Sequence, residues 1–108
     1  MMQSIVVLVT CENQDEAKKI AGVVVKKRLA ACANILPKVH SVFHWQGAVE
    51  DEDEVLMIIK TRHEVFDRLA EVVTELHSYD VPEIIALPIV AGNVPYLDWI
   101  ENEVKEAR

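Results

Sequence analysis

Between Val39 and Lys60 the chain reads as two long extended segments joined by a turn, and a hairpin of that length dictates most of what can surround it. Val39, Ser41, Phe43 and Trp45 fall on one side by the period of two, with His40, Val42 and His44 on the other. Gln46-Gly47-Ala48 supplies the turn, and Val49 to Lys60 returns as the antiparallel partner. The extended stretch begins near Ala33, and Pro37 within it removes a backbone donor, so that part belongs at a sheet edge or a bulge. The returning segment opens with Glu50-Asp51-Glu52-Asp53-Glu54 and continues as Val55-Leu56-Met57-Ile58-Ile59. Its acidic half reads as solvated and its apolar half as covered on both faces. The acids lack the spaced oxygen donors and the glycine of an EF-hand loop, so they read as a charged, aggregation-resistant strand rather than a calcium site.

An apolar hairpin stem needs further strands and helices to cover it, and the flanking sequence supplies them. Ile5-Val6-Val7-Leu8-Val9 is a β-branched run expected to be buried on both faces in the middle of a sheet. Asn13 can cap the next element, with Glu16 in the place of a capping-box acid. Ala17, Ile20, Ala21 and Val24 then follow at helical spacing, which predicts a helix to about Leu29. Thr61-Arg62-His63-Glu64 has the form of a second capping box, before Val65, Leu69, Val72 and Leu76 at helical spacing. Proline at 82 ends that helical reading, Glu83 to Val90 resumes a strand, and Pro95 opens a terminal helix with Leu97, Ile100 and Val104 on one side. The order β, α, β, β, α, β is the split βαβ motif. The expected architecture is therefore α+β, a ferredoxin-like βαββαβ sandwich with an added C-terminal helix. Its sheet is predicted to be mixed and four-stranded, with two helices against one face, and residues 1–108 form a single domain.

Charge and cysteine usage exclude several functions. A formal net charge of -7 repels phosphate backbones, so nucleic acid is not an expected partner. The same field concentrates small cations, though a negative surface is also an ordinary route to solubility. No run approaches a membrane span and the start lacks a basic n-region, so the expected partners include no membrane and the expected location is cytoplasmic. With two cysteines, Cys11 and Cys32, and no Cys-x-x-Cys pair, a four-cysteine iron-sulfur cluster is excluded. Each thiol also has a plainer reading as a small core residue.

Candidate chemistry is correspondingly sparse. The loop Thr10-Cys11-Glu12-Asn13 is no anion cradle, which argues against phosphoryl or acyl transfer. Strands one and three carry no aromatics for stacking RNA bases. His40 and His44 share a strand face and His63 sits at a helix start, without further donors in a pattern that defines a metal.

Three segments carry a more specific signal. Arg28-Leu29-Ala30-Ala31-Cys32-Ala33-Asn34-Ile35-Leu36-Pro37 closely resembles the segment joining the first helix and second strand in the CutA family. Ser41-Val42-Phe43-His44-Trp45-Gln46-Gly47, with the Glu-rich strand ending in Ile58-Ile59-Lys60-Thr61, resembles that family's long hairpin. His77-Ser78-Tyr79-Asp80-Val81-Pro82-Glu83-Ile84, continuing to Trp99-Ile100, is the third match, with Ser78 where many members have Pro and Asp80 where many have Glu. The resemblance spans nearly the whole chain. It implies a non-enzymatic protein of divalent-cation tolerance, assembled as a homotrimer like the trimeric PII signalling proteins. Sheet edges and surplus apolar surface on the hairpin already call for a partner chain, and the resemblance selects three.

The implied site is less defined than the fold. No cofactor is required, and copper is the candidate ion, because soft sulfur suits Cu(I) and imidazole suits Cu(II). Cys32 and His77 lie in the matching segments and are the expected ligands, with Cys11 added on chemical grounds. Burial for Cys32 and a helix-end position for His77 are the competing structural explanations. Trp45, Lys60, Tyr79, Glu83 and Trp99 are candidates for a pocket between subunits, in a second reading of the protein as a PII-like regulator or scaffold that binds a small molecule or protein.

Overall fold

The structure, a computed structural model, describes residues 3–105. Four strands, β1 (Ser4–Cys11), β2 (Cys32–Trp45), β3 (Ala48–Arg62) and β4 (Ile84–Pro88), form one sheet in the order β2-β3-β1-β4. The helices are α1 (Gln14–Lys26), α2 (Phe66–Leu76) and α3 (Val94–Glu103). This is the expected ferredoxin-like order with a closing helix. The expected mixed sheet is corrected: β1 pairs antiparallel with both β3 and β4, and β2 pairs antiparallel with β3. β1 and β2 do run in the same direction, but β3 lies between them, so no parallel pair forms.

One face of the sheet carries the core. Ile5, Val7, Val9 and Cys11 of β1 and Val55, Met57 and Ile59 of β3 are buried against Ala17, Ile20 and Val24 of α1 and Leu69, Val72 and Val73 of α2. Each buried Val, Leu, Ile or Met among them contributes about 1.5–3 kcal/mol of transfer free energy. The alternate residues of β1, Val6, Leu8 and Thr10, are only partly covered. The expectation that these strands are buried on both faces is thus corrected for the single chain. Val6, Leu8, Leu56, Ile58, Ile85 and Leu87 share the second face, and Ile85 and Leu87 are each 50% exposed.

Local sequence explains the boundaries. The Asn13 side chain accepts a hydrogen bond from the Glu16 backbone N–H at 2.8 Å, so α1 is capped as its sequence requires. It ends at Lys26 rather than near Leu29. Arg28 takes φ 65°, and the N–H groups of Arg28 and Leu29 return to the carbonyls of Val25 and Val24, a Schellman closure. That reversal turns Leu29 into the core at 1% exposure. The second capping box does not form. Thr61 is still part of β3 and faces the helices, where its hydroxyl donates to the Leu29 carbonyl at 2.7 Å. A 3₁₀ turn, His63–Val65, leads into α2 without a side-chain cap. Pro37 sits where expected, on an edge strand and inside a register shift between Leu36 and Val39.

Beyond that bulge, β2 and β3 continue as a two-stranded ribbon. Gln46 and Gly47 both take positive φ, 49° and 83°, as a tight two-residue turn demands. Glu50, Asp51, Glu52 and Asp53 are exposed, as the charge pattern requires. His40 is opposite Asp53; its Nδ1 lies 2.9 Å from Asp53 and its Nε2 3.2 Å from Asp51, while Lys38 lies 3.4 Å from Asp53. The hydrogen bond to Asp53 holds the His40 pKa above its ordinary value, with Asp51 adding and Lys38 opposing, and holds the Asp53 carboxyl below its own. A raised histidine contributes fully below its unfolded pKa and loses that contribution as pH rises through the folded pKa. A depressed aspartate contributes above its unfolded pKa and loses it on acidification through the folded pKa. The clamp is therefore complete between roughly pH 4 and 6.5 and fades on either side. An NMR titration of the His40 ring is expected to give a midpoint that falls in Asp53→Asn; an unmoved midpoint contradicts the clamp.

Candidate metal centre

At the end of the sheet where β1 finishes, three chemically different donors meet. The Cys11 sulfur, a Glu16 carboxylate oxygen and a His77 ring nitrogen all lie within 4.8 Å of one another. Cys11 arrives on the helix-facing side of β1, Glu16 from the first turn of α1 and His77 from the residue that closes α2. The His77 side chain is fully buried and that of Glu16 nearly so, at 13% exposure.

Hydrogen bonds fix each group. His77 Nε2 lies 2.7 Å from the Thr10 carbonyl, and Nδ1 accepts the Tyr79 backbone N–H at 3.1 Å. A carbonyl only accepts and an amide N–H only donates, so the proton resides on Nε2 and the lone pair on Nδ1. Glu16 accepts from the Ser78 N–H at 2.8 Å and from the Glu12 N–H at 3.3 Å. Burial works to raise the Glu16 pKa, but these bonds outweigh it and hold the carboxyl below its ordinary range. Burial, aided by the Glu16 and Glu54 carboxylates, pushes the Cys11 thiol up to about 12. The site thus holds a thiol, a carboxylate and an imidazole whose Nδ1 accepts a hydrogen bond.

This donor set fits a soft or borderline cation. Thiolate sulfur selects Cu(I), imidazole nitrogen is a general ligand of copper and zinc, and a carboxylate adds charge compensation. Binding must displace the thiol proton, as metal binding to cysteine generally does. An open cleft of about 380 Å³ lies alongside, between Glu12–Gln14 and the ribbon residues Lys38, Asp53 and Glu54.

The expected site residues are not all together. His77 and Cys11 meet, but Cys32 does not join them within the chain. It stands in the row of Lys60 and Val6, on the other face of the sheet, with roughly 17 Å of strand between that row and Cys11. There the Cys32 thiol lies 3.8 Å from the Tyr96 hydroxyl. The five proposed pocket residues are likewise dispersed. Trp45 is at the ribbon tip, 59% exposed, and Lys60 donates to Asn34 at 2.6 Å on the open face. Tyr79 donates its hydroxyl to Glu54 at 2.9 Å beside His77, Glu83 is exposed just before β4, and Trp99 packs on Tyr96 in α3. Glu16 is the member that sequence reasoning missed as a ligand. Its capping position was legible; its approach to His77 depends on how α2 packs beside α1.

The fold and this cluster define a class: a small ferredoxin-like domain with a buried thiol-imidazole-carboxylate group beside an acidic ribbon. The chain belongs to the CutA1 divalent ion tolerance protein family, which it matches over residues 5–103. It is similar to the chloroplastic protein CutA 1 of Oryza sativa subsp. japonica, at 49% identity over 96% of this chain and 59% of that protein. The chain thus spans little more than half of that relative's length. It is 48% identical to the divalent-cation tolerance protein CutA of Thermus thermophilus, over 90% of this chain and 94% of that one. The crystal structure of CutA1 from Oryza sativa superposes with a TM-score of 0.94 at 48% identity, covering 97% of this chain and 96% of the other.

Proposed function

We propose that this protein serves divalent-cation tolerance by holding a soft cation, copper foremost, at Cys11, Glu16 and His77, without catalysing a reaction. The observation that carries the proposal is the convergence of those donors within 4.8 Å. Membership of a family named for cation tolerance gives the convergence its meaning. No resident cofactor is needed for this role. When bound, the ion would be a cargo or signal; Cys11 would give up its proton to solvent, and Glu16 would offset the added charge. Two unpaired thiols suit a reducing compartment, so we place the chain in the cytoplasm, although the rice relative is named as chloroplastic. Among the described residues no helix is long and apolar enough to cross a membrane.

Competition titrations with Cu(I) test the assignment. Cys11→Ser is expected to weaken binding by about a hundredfold or more, since even partners outside the ligand shell cost 10–100-fold. Cys32→Ser is expected to bind like the parent. Unchanged affinity in Cys11→Ser, or an equal loss in Cys32→Ser, contradicts the site.

A second reading rests on a different observation, the open apolar sheet face. Val6, Leu8, Ile58, Ile85 and Leu87 there form a surface that a single chain leaves partly wet, flanked by the unpaired edges of β2 and β4. We propose that copies of the chain cover it as a homotrimer. Trp45, Lys60 and Trp99 are then available at contacts between chains, where a PII-like regulator or scaffold would bind a small molecule or protein.

A further inference from the structure

We infer that a cation entering the Cys11, Glu16 and His77 cluster opens the 77–79 turn, which makes this turn a latch between metal occupancy and the β2–β3 ribbon. The inference rests on the metal site proposed above. The lone pair that a metal needs is on His77 Nδ1, and the Tyr79 N–H already occupies it at 3.1 Å. Nε2 is no freer, because it carries the proton that bonds the Thr10 carbonyl at 2.7 Å. Glu16 Oε1 lies 3.9 Å from Nδ1, so this nitrogen is the one that faces the carboxylate. The second oxygen of Glu16 accepts the Ser78 N–H at 2.8 Å. A cation between Nδ1 and Oε1 therefore competes with the Tyr79 amide on the imidazole and meets the Glu12 N–H that Oε1 accepts at 3.3 Å, while the Ser78 amide keeps its own oxygen.

The competition reaches beyond the turn through Tyr79. Its ring lies 4.8 Å from the His77 ring, and its hydroxyl donates to Glu54 at 2.9 Å. Glu54 is opposite Val39, where pairing between β2 and β3 resumes after the bulge, at the root of the acidic ribbon. Displacement of the Tyr79 amide moves this ring and frees the Glu54 carboxylate. A ligand shifts such an equilibrium only through differential affinity for the two states, and here the open state alone presents an unoccupied Nδ1 lone pair.

Amide hydrogen exchange followed by NMR on the full chain, with Cu(I) as the added probe under anaerobic conditions, tests the latch. The Tyr79 amide is expected to lose protection by about tenfold or more, as for the release of a hydrogen bond, while the Val73 amide in α2 is unchanged. Tyr79→Phe removes the tie to Glu54 without removing a ligand, so Cu(I) affinity is expected to rise by about threefold to tenfold. Cu(I) binding at the cluster with the Tyr79 amide still protected, or unaltered affinity in Tyr79→Phe, overturns the latch and leaves the metal site standing. If Cu(I) leaves the Cys11, Glu16 and His77 resonances unmoved, the site and the latch fall together.

Discussion

The substitution Leu8→Glu is expected to reduce the sedimenting species from three times the 12.2 kDa chain mass to a single chain. Leu8 is in the middle of the open sheet face, paired with Ile58 on one side and Ile85 on the other. In an isolated chain the new carboxylate reaches water across this partly exposed face, so the fold loses little, on the order of 1 kcal/mol. In a trimer closed over that face, each chain buries a carboxylate without a partner, at several kcal/mol per ion. That exceeds what a contact of ordinary size can spare, and the assembly separates. Sedimentation equilibrium on both proteins checks it. An unchanged mass for Leu8→Glu, or a 12.2 kDa parent across a wide concentration range, contradicts covering of this face by sister chains.

The second large effect is expected on stability. His77→Ala removes a fully buried side chain, leaves the Tyr79 N–H and the Thr10 carbonyl without their partner, and opens a cavity beside Cys11. The cavity and the orphaned groups together cost about 3–5 kcal/mol. His77→Gln keeps part of the volume and a hydrogen-bonding amide, so its loss is expected to be smaller. Urea unfolding at matched chain concentration compares the two, since stability of an assembly depends on concentration. A loss below about 1 kcal/mol for His77→Ala contradicts the central place given to this imidazole.

What the sequence disclosed follows from the range of each interaction. The Asn13 cap, the Pro37 bulge and the Gln46-Gly47 turn depend on neighbours a few residues away, and each appears where the local pattern places it. The Thr61 capping box was misread for a physical reason. A threonine before a helix can bond forward to that helix or across to another segment, and the antiparallel pairing with Ile5 points this one at Leu29. The end of α1 was missed because Arg28 adopts the left-handed conformation usually left to glycine. The sheet was expected to be mixed because the split motif fixes strand directions without stating which strands are neighbours.

The site was legible only in pieces. Cys11 and His77 were recognisable as soft donors, but Cys32 was ranked ahead of Cys11 because it lies in a more distinctive segment. The registers of β1 and β2 against β3 set which thiol stands near His77 within the chain, and register is a long-range property. Glu16 reads as a helix-capping residue and serves as one through Oε1, the oxygen that also faces His77; it faces His77 only because the turn after α2, whose Ser78 N–H holds Oε2, is adjacent to the first turn of α1.

X-ray absorption at the copper edge of the Cu(I)-loaded protein addresses the metal assignment most directly, because it reports which atoms surround the ion. One sulfur with nitrogen or oxygen neighbours is expected in the parent and in Cys32→Ser, and the sulfur is expected to vanish in Cys11→Ser. A sulfur shell that survives Cys11→Ser and disappears in Cys32→Ser contradicts the Cys11, Glu16 and His77 site.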